Sequence, residues 1–204
     1  MRCAHTGLLR SVLLVLVWQL FSGCAGPLPV NNYYSLATVD ATDFEIHNMA
    51  RLDVSLGVGP LSVPDYLKRP QIATRLAENR YKFEDSQRWA GLIEQDMLAV
   101  ITSNLGLMLS TDKVAAFPWL NFFKPDYRIA IDVLQFDSAL DGDAVFKARW
   151  SISDATGREL LASGKSDLRT TLQQSSYDAL VRAESELLER FSKELAGQVQ
   201  QLAD

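Results

Sequence analysis

Cys24 is the residue whose type and setting point most directly to chemistry. It closes the run Leu20-Phe21-Ser22-Gly23-Cys24 at the end of a short apolar stretch. Cleavage ahead of it would free an amine for acylation, while its thiol would carry a diacylglyceryl group; small residues must precede such a cysteine. The flanks agree. Met1 to Arg10 carries Arg2 and Arg10 with no acid, and Ser11 to Phe21 is apolar except for Ser11 and Gln19, as the charged and apolar regions of an export signal are. A spanning helix needs about 20 apolar residues. This run is shorter, so residues 1–23 read as a cleaved lipoprotein signal, with Phe21 standing where such motifs usually carry Leu. An ordinary secretory signal with an incidental cysteine is the alternative. Each buried methylene of an acyl chain contributes about 0.8 kcal/mol, and more than one chain is needed for a stable anchor.

Other chemistry is sparse. The chain after Cys24 has a single histidine, His47, and no Gly-x-Ser-x-Gly elbow to provide a nucleophile for it. Cys3 falls within the signal, so no second thiol remains for a disulfide or a metal site. Gly57-Val58-Gly59 lacks a third glycine and is followed at once by Pro60, which rules out a dinucleotide loop. Asp137 and Asp141 could serve as paired carboxylates, but their position near a turn reads as surface. No catalytic residue, metal site or cofactor is therefore expected, and no enzyme. Loss of the signal removes Arg2 and Arg10 and takes the formal charge from −5 to −7, with no basic cluster, so nucleic acid is not an expected partner.

The elements that follow suit one domain over residues 33–204, joined to the membrane by a tether of residues 24–32 that includes Gly26-Pro27-Leu28-Pro29. Ala25, rather than Asp, follows Cys24, which by the enteric sorting rule directs the anchor to the periplasmic face of the outer membrane. Strands are predicted at Tyr33–Leu36, Leu52–Val58 and Tyr81–Phe83, with a loop of brief extended pieces from Leu61 to Arg75 where Pro60, Pro64 and Pro70 recur. A helix from Asp85 or Ser86 to about Leu109 would bury Trp89, Leu92, Ile93, Met97, Val100, Ile101 and Leu105. An antiparallel meander follows: Asp126 to Leu140, a strand with Phe146, Ala148, Trp150 and Ile152 on its covered face, and Arg158 to Leu168. A long helix beginning at Ser175 or Ser176 would cover it. The expected architecture is α+β, a mixed, mostly antiparallel sheet with two long helices on one face.

Three stretches together resemble the ABC-type transport auxiliary lipoproteins: Tyr33-Tyr34-Ser35-Leu36, the run Gly57-Val58-Gly59-Pro60-Leu61-Ser62-Val63-Pro64-Asp65-Tyr66-Leu67-Lys68-Arg69-Pro70-Gln71-Ile72-Ala73-Thr74-Arg75, and Arg88-Trp89-Ala90. The resemblance implies a non-enzymatic outer-membrane lipoprotein that works with a periplasmic MCE-domain protein and inner-membrane components in lipid transport between the two membranes. The MCE conduit would end on the lipoprotein, and its rotational symmetry would favour a matching ring of copies. Val63, Pro64, Tyr66, Leu67, Arg69, Pro70, Gln71 and Arg75 are the candidate docking residues, since prolines pre-order the loop and Tyr and Arg are common anchors of interfaces. The alternative folds Tyr66 and Leu67 onto the sheet edge and pairs Arg69 with a local acid. A second role, carrying or gating lipid, would use an apolar cleft between sheet and helices and the aromatic stretch Trp119, Phe122 and Phe123; that stretch could also simply pack against the first helix. An envelope hydrolase is the remaining alternative.

Overall fold

The computed structural model describes residues 30–40 and 52–203, and residues 31–204 form one compact unit. Its spine is β6 (Tyr127–Ser138), whose apolar residues recur at every second position. Antiparallel to β6 runs β7 (Asp143–Ser153), and antiparallel to β7 runs β8 (Leu160–Thr171). The opposite edge of β6 is shared. β2 (Leu56–Ser62) pairs with its first half in parallel, and β3 (Gln71–Ala77) meets its far end at Thr74 and Ser138. Outside β2 lies β5 (Val114–Ala116). Outside β3 lies β4 (Arg80–Trp89), antiparallel to it, and then β1 (Asn32–Tyr34), parallel to β4. The result is a mixed eight-stranded open sheet whose long ladders are antiparallel. Two helices, α1 (Ile93–Met108) and α2 (Tyr177–Ala203), pack on one face of it, so the fold class is α+β.

Period-2 and period-3.6 patterns meet in the layer between helices and sheet. Leu56, Val58, Ile129, Ile131, Val133, Phe136, Phe146 and Ile152 face Met97, Ile101, Leu105, Leu187, Leu188, Phe191 and Leu195, all of them buried. Phe146 stands edge-on to Phe136 at 6.0 Å between centroids and touches Phe191 at 4.8 Å. Such burial contributes about 25 cal/mol per Å² of apolar surface. The apolar stripe predicted for the C-terminal helix is the buried stripe of α2, with Tyr177 and Leu202 half-buried at its ends.

A strap explains several polar residues buried on the helices. The chain from Ser35 to Asp40 leaves β1 and crosses both helices. The Leu36 amide donates to Asp96 Oδ2 at 2.8 Å, the Ala37 amide to Ser185 Oγ at 3.0 Å and the Val39 amide to Asn104 Oδ1 at 3.0 Å. Each gives a main-chain donor of the strap a side-chain acceptor on a helix, which matters most at buried Leu36. The rest of the predicted polar connection, with His47, lies outside the described residues.

Three local expectations are corrected. β2 does not stop at Gly59-Pro60 but passes through it to Ser62. The parallel ladder skips between Val58 and Leu61, which accommodates a proline that has no N–H to give. Gly59 has φ +114°, a region that favours glycine, and a Cβ there would lie 2.7 Å from that of Phe117. Next, residues 71–77 are strand rather than loop, so the proline-rich connection shrinks to residues 63–70. Finally, α1 begins at Ile93, not near Asp85. Residues 87–89 pair with β1 on one side, while Arg88 meets Gln71 of β3 on the other, and Trp89 enters the core from a strand. The three- and four-residue spacing of Trp89, Leu92 and Ile93 is shared by two different elements, and Leu92 is 62% exposed.

Trp150 lies on the helix-facing side of β7, as predicted, but is only half-buried. It pairs across from Gly164 of the edge strand β8, so its ring extends over that glycine, and its Nε1 donates to Ser166 Oγ at 3.2 Å. Ser166 Oγ in turn donates to Glu194 Oε2 at 2.6 Å. Trp150→Ala is therefore expected to cost about 2–3 kcal/mol by urea denaturation, less than the 3–5 of a fully enclosed tryptophan.

Candidate functional site

The proline-rich connection divides into an inward and an outward half. Leu67 N–H donates to the Pro64 carbonyl at 3.0 Å and Lys68 N–H to that of Asp65 at 3.2 Å, closing a single 3₁₀ turn over Asp65–Leu67. That turn sends Val63 and Leu67 into the core at 7% and 3% exposure. The Tyr66 ring stacks on Tyr81 of β4 at 4.7 Å, and its hydroxyl donates to Asp137 Oδ2 at 2.9 Å while accepting from the Phe136 amide at 3.2 Å. Arg75 of β3 grips the same carboxylate at both oxygens, Nε to Oδ1 at 2.7 Å and Nη2 to Oδ2 at 2.9 Å. It also donates to the Glu78 carbonyl and to Tyr81 Oη, with its guanidinium 4.6 Å from the Tyr81 ring centre. Gln135 Nε2 completes the shell at 3.1 Å.

Asp137 is thus the hub of a buried polar cluster and not a surface turn residue; its side chain is 1% exposed. It belongs to β6, whose end is enclosed by β3 and the 3₁₀ turn. Burial pushes its carboxyl upward, but hydrogen bonds from Arg75, Gln135 and Tyr66 outweigh this and hold it below the usual carboxylate value. Hydrogen bonding to Asp137 raises the Arg75 guanidinium further, and burial raises the Tyr66 phenol, so the first stays charged and the second neutral. Asp137 and Tyr81 were not among the predicted site residues. The available signal was an acid directly following the apolar strand pattern Ile129 to Phe136.

What remains outward is smaller than the predicted docking set. Arg69 and Pro70 are exposed, with the Arg69 guanidinium 5.0 Å from the Phe83 ring centre. Pro64 is half-buried, as is Gln71, which donates to Asp85 Oδ1 at 3.0 Å. Arg69, Pro70, Lys68 and Leu92 rim a cleft of about 270 Å³ floored by Val63, Leu67 and Ile93.

A second group lies on the sheet face away from the helices. Trp119 covers Gly57, where a Cβ would come within 2.7 Å of the indole, and meets Phe117 edge-on at 5.4 Å. The Phe123 amide donates to the Leu120 carbonyl at 2.8 Å, a turn that leaves Phe122 at 81% and Leu120 at 65% exposure. Phe117 is 46% exposed and Phe123 half-buried. The predicted trio is therefore brought together on one loop, with Phe122 projecting outward instead of packing on α1. Arg128 of β6 lies beside it, 5.7 Å from the Trp119 ring centre.

Glu184 of α2 is a further buried ionisable group. Ser138 Oγ donates to its Oε1 at 2.9 Å, and Oε2 has no partner among the described residues. Burial pushes its carboxyl up to about 8. Cys24 lies outside the described residues.

Among the described residues, then, the Asp137 cluster is tied up within the fold, while the Arg69–Pro70 cleft and the Trp119–Phe123 loop stand at the surface of a scaffold of one sheet and two helices. The chain belongs to the family of ABC-type transport auxiliary lipoprotein components, whose model matches residues 34–196. It is 22% identical over 192 residues to the intermembrane transport lipoprotein PqiC of Escherichia coli strain K12, covering 94% of this chain and 97% of that one. The fold recurs in an uncharacterized protein of known crystal structure (TM-score 0.69, 20% identity, 83% of this chain and 99% of that chain). It recurs also in a Xanthomonas campestris protein of the family DUF330 (TM-score 0.67, 16% identity, 82% and 94%).

Proposed function

We propose that this chain is the outer-membrane lipoprotein of an MCE-type intermembrane lipid transport system, a non-enzymatic adaptor held by acyl chains on Cys24. It receives the end of a periplasmic MCE-domain conduit driven by inner-membrane transport components, with copies arranged in a ring that matches the conduit. The observation that carries this reading is the family match over residues 34–196, together with likeness along nearly the whole chain to a lipoprotein named for intermembrane transport. Within the predicted docking set, Arg69 and Pro70 are the exposed members, and with Leu92 they rim an apolar-floored cleft that a partner side chain could enter. Tyr66, Leu67 and Arg75 support that surface from within.

The lipid-carrier alternative takes a narrower form. The layer between sheet and helices is filled by Phe136, Phe146 and Phe191 at 1% exposure or less, so lipid contact belongs to the exposed loop of Trp119, Phe122 and Phe123.

The test is a mild-detergent pulldown from native membranes, with partners and the N-terminal peptide identified by mass spectrometry. An MCE-domain protein together with acylated Cys24 is the expected result, and Arg69→Glu combined with Leu92→Asp is expected to lose that partner while leaving the melting temperature unchanged. An acylated chain with unrelated partners would overturn the reading.

A further inference from the structure

Arg128 is a cation that the fold holds in place with no anion beside it among the described residues. Its guanidinium lies 5.7 Å from the Trp119 ring centre, and Nη1 sits where a Cβ on Gly157 would come within 3.1 Å. Its Nε is buried and has no hydrogen-bond partner among the described residues. The carboxylates nearest it in the chain topology are already engaged. Asp126 Oδ2 accepts from the Ser55 amide at 2.8 Å and the Ser55 hydroxyl at 2.7 Å. Asp154 accepts from the amides of Arg158 and Glu159 at 2.9 and 3.1 Å and from Thr156 Oγ1 at 2.8 Å. A buried donor left without an acceptor is costly, and the Trp119 ring gives the guanidinium a cation–π contact but no hydrogen-bond acceptor.

The surroundings say what anion would suit it. The loop that supplies Trp119 also exposes Phe117, Leu120 and Phe122, giving aromatic and aliphatic side chains beside a forked cation. Aromatic rings settle at the headgroup level of a bilayer, and a guanidinium binds phosphate oxygens in pairs. We propose that this corner of the sheet docks on the surface of an anionic phospholipid bilayer, with Arg128 on a headgroup phosphate and Phe122 and Leu120 at the acyl boundary. The inference deepens the lipid contact assigned above to Trp119, Phe122 and Phe123, and it rests on that reading for the presence of a membrane nearby. One cation and a few apolar side chains make a weak contact by themselves. A covalent tether raises the effective concentration enough for such a contact to set how the domain faces the membrane.

The test uses residues 31–204, which contain every core side chain named above, in co-sedimentation with vesicles of phosphatidylethanolamine and phosphatidylglycerol against vesicles of phosphatidylcholine alone. The expected result is partition to the anionic vesicles, weakened about fivefold by Arg128→Gln, the loss of one basic contact, and partly restored by Arg128→Lys. Phe122→Ser is expected to weaken partition to both compositions with an unchanged melting temperature. Equal partition of wild type, Arg128→Gln and Phe122→Ser would overturn the proposal. So would inorganic phosphate perturbing the Arg128 side-chain resonances while vesicles fail to bind, which would make the site one for a free anion. A pulldown that recovers the MCE-domain partner while vesicles fail would overturn this inference alone; vesicle binding without that partner would overturn only the adaptor reading.

Discussion

Asp137→Ala is expected to destabilise the fold by about 3–5 kcal/mol, because it strands the Arg75 guanidinium with its bidentate partner gone. The loss does not stop at the ion pair. The Tyr66 hydroxyl, which donates to Oδ2 at 2.9 Å, and Gln135 Nε2 lose the same acceptor, and the Tyr66–Tyr81 stack loses the contact that fixes its position. Urea denaturation followed by circular dichroism would read the change as a lower midpoint with an unchanged slope. Asp137→Asn, which keeps the shape and one acceptor oxygen, is expected to cost less, whereas a change below about 1 kcal/mol for the alanine variant would show that Arg75 finds water as readily as it finds Asp137. The same pair predicts a pH effect of fixed sign. The folded carboxyl is held below its ordinary value, so its contribution is present above the unfolded value near 4 and is lost as pH falls through the folded one.

Glu184 should produce the opposite trend, and a second large effect. Its folded value of about 8 stands above the ordinary value of 4.5, so the folded state binds the extra proton between those limits. Its contribution is full below about pH 4.5 and is lost as pH rises toward 8, a decline of about 3–5 kcal/mol in unfolding free energy that flattens above that point. Glu184→Gln keeps an acceptor for Ser138 and cannot ionise. Unfolding curves recorded from pH 5 to pH 9 are expected to show the decline in the native chain and a nearly level profile in the variant, which becomes the more stable of the two at pH 8 and above. Parallel slopes for the two proteins would mean that the carboxyl ionises without cost, through water that reaches Oε2.

The amphipathic patterns were legible without coordinates. The alternation in Tyr127 to Val133 and Phe146 to Ile152, and the stripe from Leu180 to Val199, each specify an element and its buried face, because period 2 and period 3.6 are local consequences of backbone geometry. The fold class followed from them, and the three family-like stretches followed from residue order alone. The proposal that Cys24 carries lipid is likewise a reading of sequence, since the chemistry of such a signal resides in a linear motif.

Tertiary structure decided the rest, for one physical reason: pairing between distant segments overrides local preference. Residues 85–89 have helical spacing but lie in a strand, because β1 pairs with residues 87–89 and β3 meets Arg88 on the other edge. The proline-rich stretch reads as loop, yet β2 runs through Pro60 where the ladder skips a residue. Asp137 reads as a turn acid until Arg75, 62 positions away, closes on it, and that contact turns Tyr66 and Arg75 inward while leaving Arg69 and Pro70 outside. Likewise, nothing in the linear order of Trp119 and Arg128 announces that one would lie beside the other. Their contact depends on β2 and β6 lying side by side with Gly57 leaving room for an indole, an arrangement that exists only once the sheet is assembled.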